Sequence, residues 1–460
     1  MRSYLIFATA GLSIFMNAID ATVVSVAFPS FTRELHTSVL WSAWTISIYF
    51  IAFTMTMPLA GNLGDTFGRK RVFLFSLALF TASSLACGVA PTISILIVFR
   101  FLQGIGGACF LPTASGIVSD QFPRGREAAI GLFASIFGIG AVVGPNLGGW
   151  IVSEYSWRYI FYINGPIGIA LIVSSMMLLK ESGTTTRTRI DFAGLALMSG
   201  SLLLLMLGLN FVAESLSVSS ILMTALLVLV SLLLAFLFLR QERRTAGPII
   251  DAALLESKAF AAANVSNLVV GMTTMGVFSF APLYAVSVHN LSTLMSGMVL
   301  TPRSLAMAIA AGVTSFLLRR FGYRWPMVIG FAASGITIIL LAPGLFPAHG
   351  AAGGWGVLGT LSALLFVNGL GAGMIFPASN NACIELMPEK VGTIVGLRNM
   401  FRNIGGALSI SIVTCILHLS SGAASGFMIA FIAFGLISLA SIPLLFLMPA
   451  GGRAWGQTGN

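Results

Sequence analysis

Long apolar runs and short polar breaks alternate along the whole chain. Runs of about twenty residues recur from residue 5 to residue 448. Each can cross roughly 30 Å of hydrocarbon as an α-helix. The runs do not alternate apolar with polar residues, and they are too long for strands, so the pattern favours helices. The breaks predict fourteen spans, at about 5–28, 41–60, 71–90, 92–118, 128–152, 158–179, 191–212, 219–239, 260–286, 294–317, 326–346, 356–382, 392–416 and 424–448. The expected fold class is an all-α polytopic membrane protein. Its first run, behind Arg2, imitates a secretory signal. It continues past Asp20 to Phe28, and its removal would leave an odd number of spans, so it reads as an uncleaved first span.

A repeat organises the spans. Phe101-Leu-Gln-Gly104-Ile-Gly106 returns 265 positions later as Phe366-Val-Asn-Gly369-Leu-Gly371. In the same register Pro112 returns as Pro377, Asp120 as Glu385, Pro123 as Pro388, Gly131 as Gly396 and Gly140 as Gly405. Parallel repeats of this kind frame a central site in membrane proteins. The offset lays spans 4 and 5 over spans 12 and 13. It divides the chain into a six-helix bundle over 1–180, two inserted helices with a basic linker over 181–258, and a second six-helix bundle with a short tail over 259–460.

Composition agrees with a membrane setting: 57% of residues are hydrophobic and 8% are charged, against roughly a quarter charged in soluble domains. The net charge of +10 could suggest nucleic acid. The Lys and Arg residues instead sit in short loops that fall on one side, as the positive-inside rule expects. With the N- and C-termini cytoplasmic, only Arg33 and Arg158 fall on the outer side, and Arg100, Arg303, Arg398 and Arg402 lie within spans. A bacterial inner membrane is the expected location, with the lipid bilayer, a small-molecule substrate and protons as partners, no nucleic acid, and a monomeric state. All seven tryptophans fall near span ends or in the tail, as an interfacial belt would. Cys87, Cys109, Cys383 and Cys415 lie in apolar spans without metal-ligand spacing and read as packing residues, so neither a metal nor another cofactor is expected. His36, His289, His349 and His418 fall near the outer surface and read as solvated loop residues or as sensors of outside pH.

Chemistry concentrates on few residues. Of fourteen acidic residues, only Asp20 lies near the middle of a span. An ionised carboxylate in hydrocarbon costs several kcal/mol, so Asp20 must face a cavity, find a cation or hold a proton. It is the candidate proton-coupling site, with a structural contact between helices as the bland alternative. Arg100 lies in the same half and could pair with it. Arg303 lies too deep to reach water along its own side chain and reads as a cavity residue. Arg398 and Arg402, four apart, share one helix face and either line the cavity or snorkel to the cytoplasmic interface. In span 5, Gly138, Gly140, Gly144, Gly148 and Gly149 surround Pro145. Small residues four apart permit close helix approach, so this segment reads as tight packing or as an outer seal between the halves. The loop Gly61–Arg71, with Asp65, Gly68 and Arg69, permits a tight turn and a charge-assisted latch to Asp120. No nucleophile–base constellation and no Walker-type lysine is present, so an enzyme is not expected.

Several of these segments resemble known signatures. Residues 61–72 are similar to the Gly-x-x-x-Asp-x-x-Gly-Arg-Lys loop of the major facilitator superfamily. Arg100 with Gln103-Gly104 resembles its span-4 signature. Gly140-x-x-x-Gly144-Pro145-x-x-Gly148-Gly149 looks like its antiporter signature, and Asn17-Ala-Ile-Asp20 resembles the first-span motif of the fourteen-helix drug:proton antiporters. The resemblance implies two rocking bundles, export of lipophilic or drug-like molecules, and proton coupling through Asp20. The chain departs from the family at Thr66, in the second-half loop Arg319-Arg320-Phe-Gly322-Tyr-Arg324, which lacks the acid, and at Ser409-Ile410, which replace the Gly-Pro pair. The four intramembrane arginines keep open a carrier for anionic or amphiphilic metabolites or lipids. A membrane receptor that transports nothing is the remaining alternative.

Overall fold

The computed structural model describes residues 2–121, 126–180, 191–214, 217–245, 257–343, 353–386 and 391–448. The described chain is helical and contains no strand. The first half comprises α1 (Arg2–Glu34), α2 (Val39–Phe67), α3 (Arg69–Gly88), α4 (Ile93–Ala108), α5 (Phe110–Gln121), α6 (Arg126–Glu154), α7 (Tyr159–Tyr162) and α8 (Asn164–Leu178). Two helices follow, α9 (Phe192–Glu214) and α10 (Val218–Glu242). The second half comprises α11 (Lys258–Ser287), α12 (Thr293–Met298), α13 (Leu300–Phe321), α14 (Arg324–Leu340), α15 (Gly353–Leu386), α16 (Val391–Leu419) and α17 (Ala423–Ala440), then a 3-10 turn, Ile442–Leu447. Among the described residues, twelve helices are long and apolar enough to cross a membrane. Two shorter apolar helices, Ala196–Leu209 and Arg324–Leu340, fall where spans 7 and 11 are expected. The first apolar run continues as one helix through Asp20 to Glu34.

The repeat in sequence is a repeat in packing. In the first half α1 packs on α6, α4 on α2 and α3, and α8 on α3; in the second, α11 packs on α16, α15 on α13 and α14, and α17 on α14. Small residues set these distances. A side chain at Gly106 would meet the backbone of Ser76 and Phe80 in α3, and one at Gly371, its repeat partner, would meet the backbone of Gly330 and Ser334 in α14. The halves meet where α2 packs on α16, α6 on α12 and α13, and α1 on α11. The inserted α9 and α10 pack on each other, and α9 also lies on α2 and α16.

The basic loops mark one end of the bundle, where each half turns in the same way. Gly68 (φ 96°) and Gly322 (φ 70°) are the two glycines with left-handed backbone among the described residues, a conformation that costs a β-carbon dearly. The expected loop over Gly61–Arg71 is therefore corrected. The helix runs to Phe67, because one glycine with positive φ turns the chain while its N–H caps the Gly64 carbonyl. Two residues after each glycine a cation closes the end of the sixth helix of its half. Lys70 donates to the carbonyls of Leu179 (2.6 Å) and Met176 (3.1 Å), and Arg324 to those of Met448 (3.2 Å) and Phe446 (3.4 Å). Arg2 adds a 2.8 Å bond to Leu178. Cations suit the negative end of a helix dipole. Between glycine and cation the halves differ. Arg69 donates to the Gly116 carbonyl at 3.0 Å, whereas Tyr323 bonds the Glu385 carboxylate; burial, then that charge, then the bond raise its phenol above the ordinary range.

The apolar core shows how the halves are joined. At the end away from the basic loops one cluster runs through both halves, from Phe28 and Phe31 through Trp157 and Phe161 to Phe280, Tyr284, Phe427 and Phe431. Toward the basic end the core divides. One cluster there, around Phe73, Phe80 and Phe110, belongs to the first half; another, around Phe260, Phe331 and Ile375, belongs to the second half with Met198 and Phe238 of the inserted helices.

The tryptophan belt needs correction. Trp41, Trp150 and Trp325 are exposed on the helix surface, but Trp44 and Trp157 are buried. Trp157 turns inward because its indole N–H donates to Glu34 at 2.7 Å. Trp355 and Trp455 lie outside the described side chains.

Candidate functional site

Asp20 sits on the face of α1 opposite a groove of glycines. On α6, β-carbons at Gly140, Gly144 and Gly148 would strike Ala18, Thr22 and Val23. Their absence draws α1 onto α6 and turns Asp20 toward α4, with zero exposure. Arg100 of α4 meets it there: Nη1 lies 2.8 Å from Asp20 Oδ2. The second carboxylate oxygen accepts from Gln103 Nε2 at 2.8 Å and from Asn164 Nδ2, at the start of α8, at 3.0 Å. Arg100 spends its other donors on the Thr45 carbonyl (Nε, 3.1 Å) and Gln103 Oε1 (Nη1, 2.7 Å), and its guanidinium lies 4.1 Å over the Tyr49 ring. Further hydrogen bonds fix these groups. Asn164 also donates to Ser84 at 3.0 Å, and the Tyr49 hydroxyl donates to Asn17, one turn before Asp20, at 2.6 Å.

Five elements, α1, α2, α3, α4 and α8, thus converge on one ion pair. Removing one partner of a buried pair costs about 3–5 kcal/mol, because the other is left charged and dry. Three donors fill three of the roughly four acceptor positions of the Asp20 carboxylate.

The second half builds a different site in the same frame. Gln103 is repeated as Asn368, and Asn368 Oδ1 accepts from Arg303 Nε at 2.9 Å. Arg303 is 1% exposed and lies 5.3 Å over Phe278. No carboxylate bonds it among the described residues. Arg398 and Arg402 both turn toward the Phe376 ring of α15, at 6.0 and 5.3 Å. Arg398 donates to Asn380 Oδ1 at 3.3 Å and to the Phe376 carbonyl at 3.2 Å. Arg398 thus packs into the bundle and does not snorkel.

The glycine-proline segment reaches across the halves. A side chain at Gly297 in α12 would run into the Pro145 carbonyl, and one at Gly149 would meet the Leu294 carbonyl at 3.3 Å. Thr301 of α13 donates to Asn146 at 2.8 Å, and Phe28 meets Phe280 edge-on at 5.8 Å. Gly61 and the side chains of Asp65 and Asp120 lie outside the described set, so the expected latch of Asp120 on Arg69 does too. Cys87, Cys109 and Cys383 are buried, with Cys87 Sγ 3.9 Å from Gln103. Sequence reasoning did not find Asn164, Tyr49, Ser84 or Asn380. Asparagines inside apolar spans were the available signal for two of them.

Two helical bundles related by a repeat and enclosing buried charges form the architecture of a polytopic membrane transporter. The model of the Major Facilitator Superfamily matches residues 10–410, and the chain belongs to that family. It is 31% identical over 403 residues to multidrug resistance protein 3 of Bacillus subtilis, covering 87% of this chain and 77% of that one. It is 30% identical to a multidrug resistance protein B homolog of Mycobacterium tuberculosis, over 89% and 76%, and 28% identical to a tetracenomycin C resistance and export protein of Streptomyces glaucescens, over 87% and 73%. Among solved structures, a bacterial homolog of the human lysosomal transporter Spinster, in an inward-facing and unoccupied conformation, superposes with TM-score 0.68 at 17% identity over 97% of this chain and 96% of that one. A nucleoside transporter superposes with TM-score 0.70 at 13% identity, over 96% and 99%. These two likenesses concern the fold.

Proposed function

We propose that this chain is a fourteen-helix, proton-coupled exporter of lipophilic, drug-like molecules, with both termini and the basic end in the cytoplasm of a bacterial cell. The sealed pair of Asp20 and Arg100 carries the reading. Protonation of Asp20 would remove its charge and leave Arg100 as an unpaired cation in a dry site, at a cost of several kcal/mol. The cost falls only if the helices move and water or another acceptor reaches the arginine. Proton uptake is thereby tied to a change of shape. A core that joins the halves in the large far-end cluster and in a smaller one of Trp44, Ile48, Ile51 and Ala407 supports a conformation closed to the outside, from which rocking would open the opposite face. One charge crossing 100 mV supplies about 2.3 kcal/mol, enough for roughly fifty-fold accumulation. Arg303, Arg398 and Arg402 would line the substrate cavity, and resistance and export proteins among the relatives support outward movement of drugs.

The test uses inverted vesicles of known orientation with an imposed pH gradient and a lipophilic dye. Wild-type protein should accumulate dye as protons move the other way. Asp20→Asn should bind dye but lose gradient-driven accumulation. Undiminished accumulation by that variant would remove Asp20 from coupling.

A further inference from the structure

We infer that Arg398 and Arg402, with Asn380 and the Phe376 ring, form a binding site for the anionic group of an amphiphilic organic acid. The inference deepens the export reading above by naming the substrate class. It starts from a contrast between arginines. Arg100 is 1% exposed and has a carboxylate on its Nη1 and a carbonyl on its Nε. Arg398 is 6% exposed, yet its Nε has no acceptor and its two bonds, at 3.2 and 3.3 Å, go to neutral amide oxygens. The Nε of Arg402 is likewise buried without an acceptor. No carboxylate reaches either guanidinium among the described residues.

Two guanidinia one helical turn apart repel each other, and a buried donor without an acceptor has lost its water for nothing in return. One group cures both defects: a planar anion that accepts from the free Nε–H donors. Arginine pairs with carboxylate and phosphate in this way. The Phe376 ring, already beneath both cations, would carry the apolar body of the same ligand. The repeat explains why the site exists in one half only. Phe133 and Phe137 stand at the corresponding positions of α6, and the first half spends its one intramembrane acid on Arg100. Arg303 belongs to a different level. Its partner Asn368 lies twelve residues from Asn380 along α15, about 18 Å at 1.5 Å per residue.

The experiment measures equilibrium binding to purified full-length protein in neutral detergent, without any gradient. The probes are dansyl-undecanoate, its methyl ester and a tetraphenylphosphonium cation. Wild-type protein should bind the carboxylate at least tenfold tighter than the ester. Arg398→Gln and Arg402→Gln should each cut that preference about tenfold, as loss of a charge-assisted bond does, and the double variant should abolish it. Arg398→Lys/Arg402→Lys should keep part of the preference, which separates loss of charge from loss of fold. Equal binding of acid and ester by wild type, tighter binding of the phosphonium, or a preference that survives the double Gln variant would each overturn the inference. So would phosphatidylglycerol displacing the acid at a lower concentration than the acid itself occupies the site, since the occupant would then be a lipid headgroup. Binding without a gradient is independent of Asp20 coupling, so this assay and the vesicle assay fail separately.

Discussion

Asp20 is the residue on which sequence and structure bear most directly. In the sequence it is an isolated acid in a hydrophobic span. In the structure it is one of the best-bonded side chains in the molecule, with three donors from α4 and α8. The need for a cation was legible, and so was Arg100, because a buried carboxylate admits few solutions. Asn164 was not legible: it lies 144 positions away, and nothing local marks it as different from a helix-starting asparagine. The pair predicts a thermodynamic cycle. Asp20→Asn and Arg100→Gln should each destabilise the detergent-solubilised protein by about 3–5 kcal/mol. The double variant should be more stable than the sum of the two losses. Thermal unfolding of the four proteins reads the coupling, and strict additivity would mean that the 2.8 Å contact does not hold in solution. Asn164→Leu, which removes the donors to Asp20 and Ser84 together, should cost about 1–3 kcal/mol in the same assay.

At the scale of elements, glycine placement decides which helices touch. The stripe of Gly140, Gly144 and Gly148 is legible in the sequence as a run of small residues, but its partner is not. It faces α1 of its own half, while Gly149 and Pro145 face α12 of the other. One segment therefore packs a bundle and joins two bundles. Gly297→Val puts methyl groups where the Pro145 carbonyl lies, so the closed far end should no longer form. In a cysteine-free background, a cysteine introduced at Asn146 should then react faster with a membrane-impermeant maleimide added from the far side. An unchanged rate would show that α6 and α12 do not form the seal. Helix boundaries were less legible than helix existence. The glycine-rich loop after α2 looked like a turn along its whole length, because sequence does not reveal which of several glycines has the positive φ.

For the molecule as a whole, the repeat was the strongest signal, because an offset of 265 residues constrains many helix pairs at once. It aligns α4 with α15 and α6 with α16, whose packing partners correspond, and it pairs Gln103 with Asn368. It could not show that matching frames hold different electrostatics, a closed ion pair in one half and, among the described residues, three arginines without carboxylate partners in the other. The common device at the basic end is the cation that closes the sixth helix of each half. Lys70→Ala and Arg324→Ala should speed amide hydrogen exchange at the ends of α8 and of the final 3-10 turn respectively, each leaving the other half unchanged. Exchange that rose in both halves from either variant would mean that the two closures act as one.

The inserted pair gives the molecule two unlike flanks. On one, α9 lies across the seam between α2 and α16, and α10, largely exposed, packs mainly on α9 among the described residues. On the other, no further helix among the described residues packs across the seam between α6 and α13 as α9 does on the first. The two seams are thus unlike in what borders them, and any path between the halves from the acyl chains would be longer on the curtained flank.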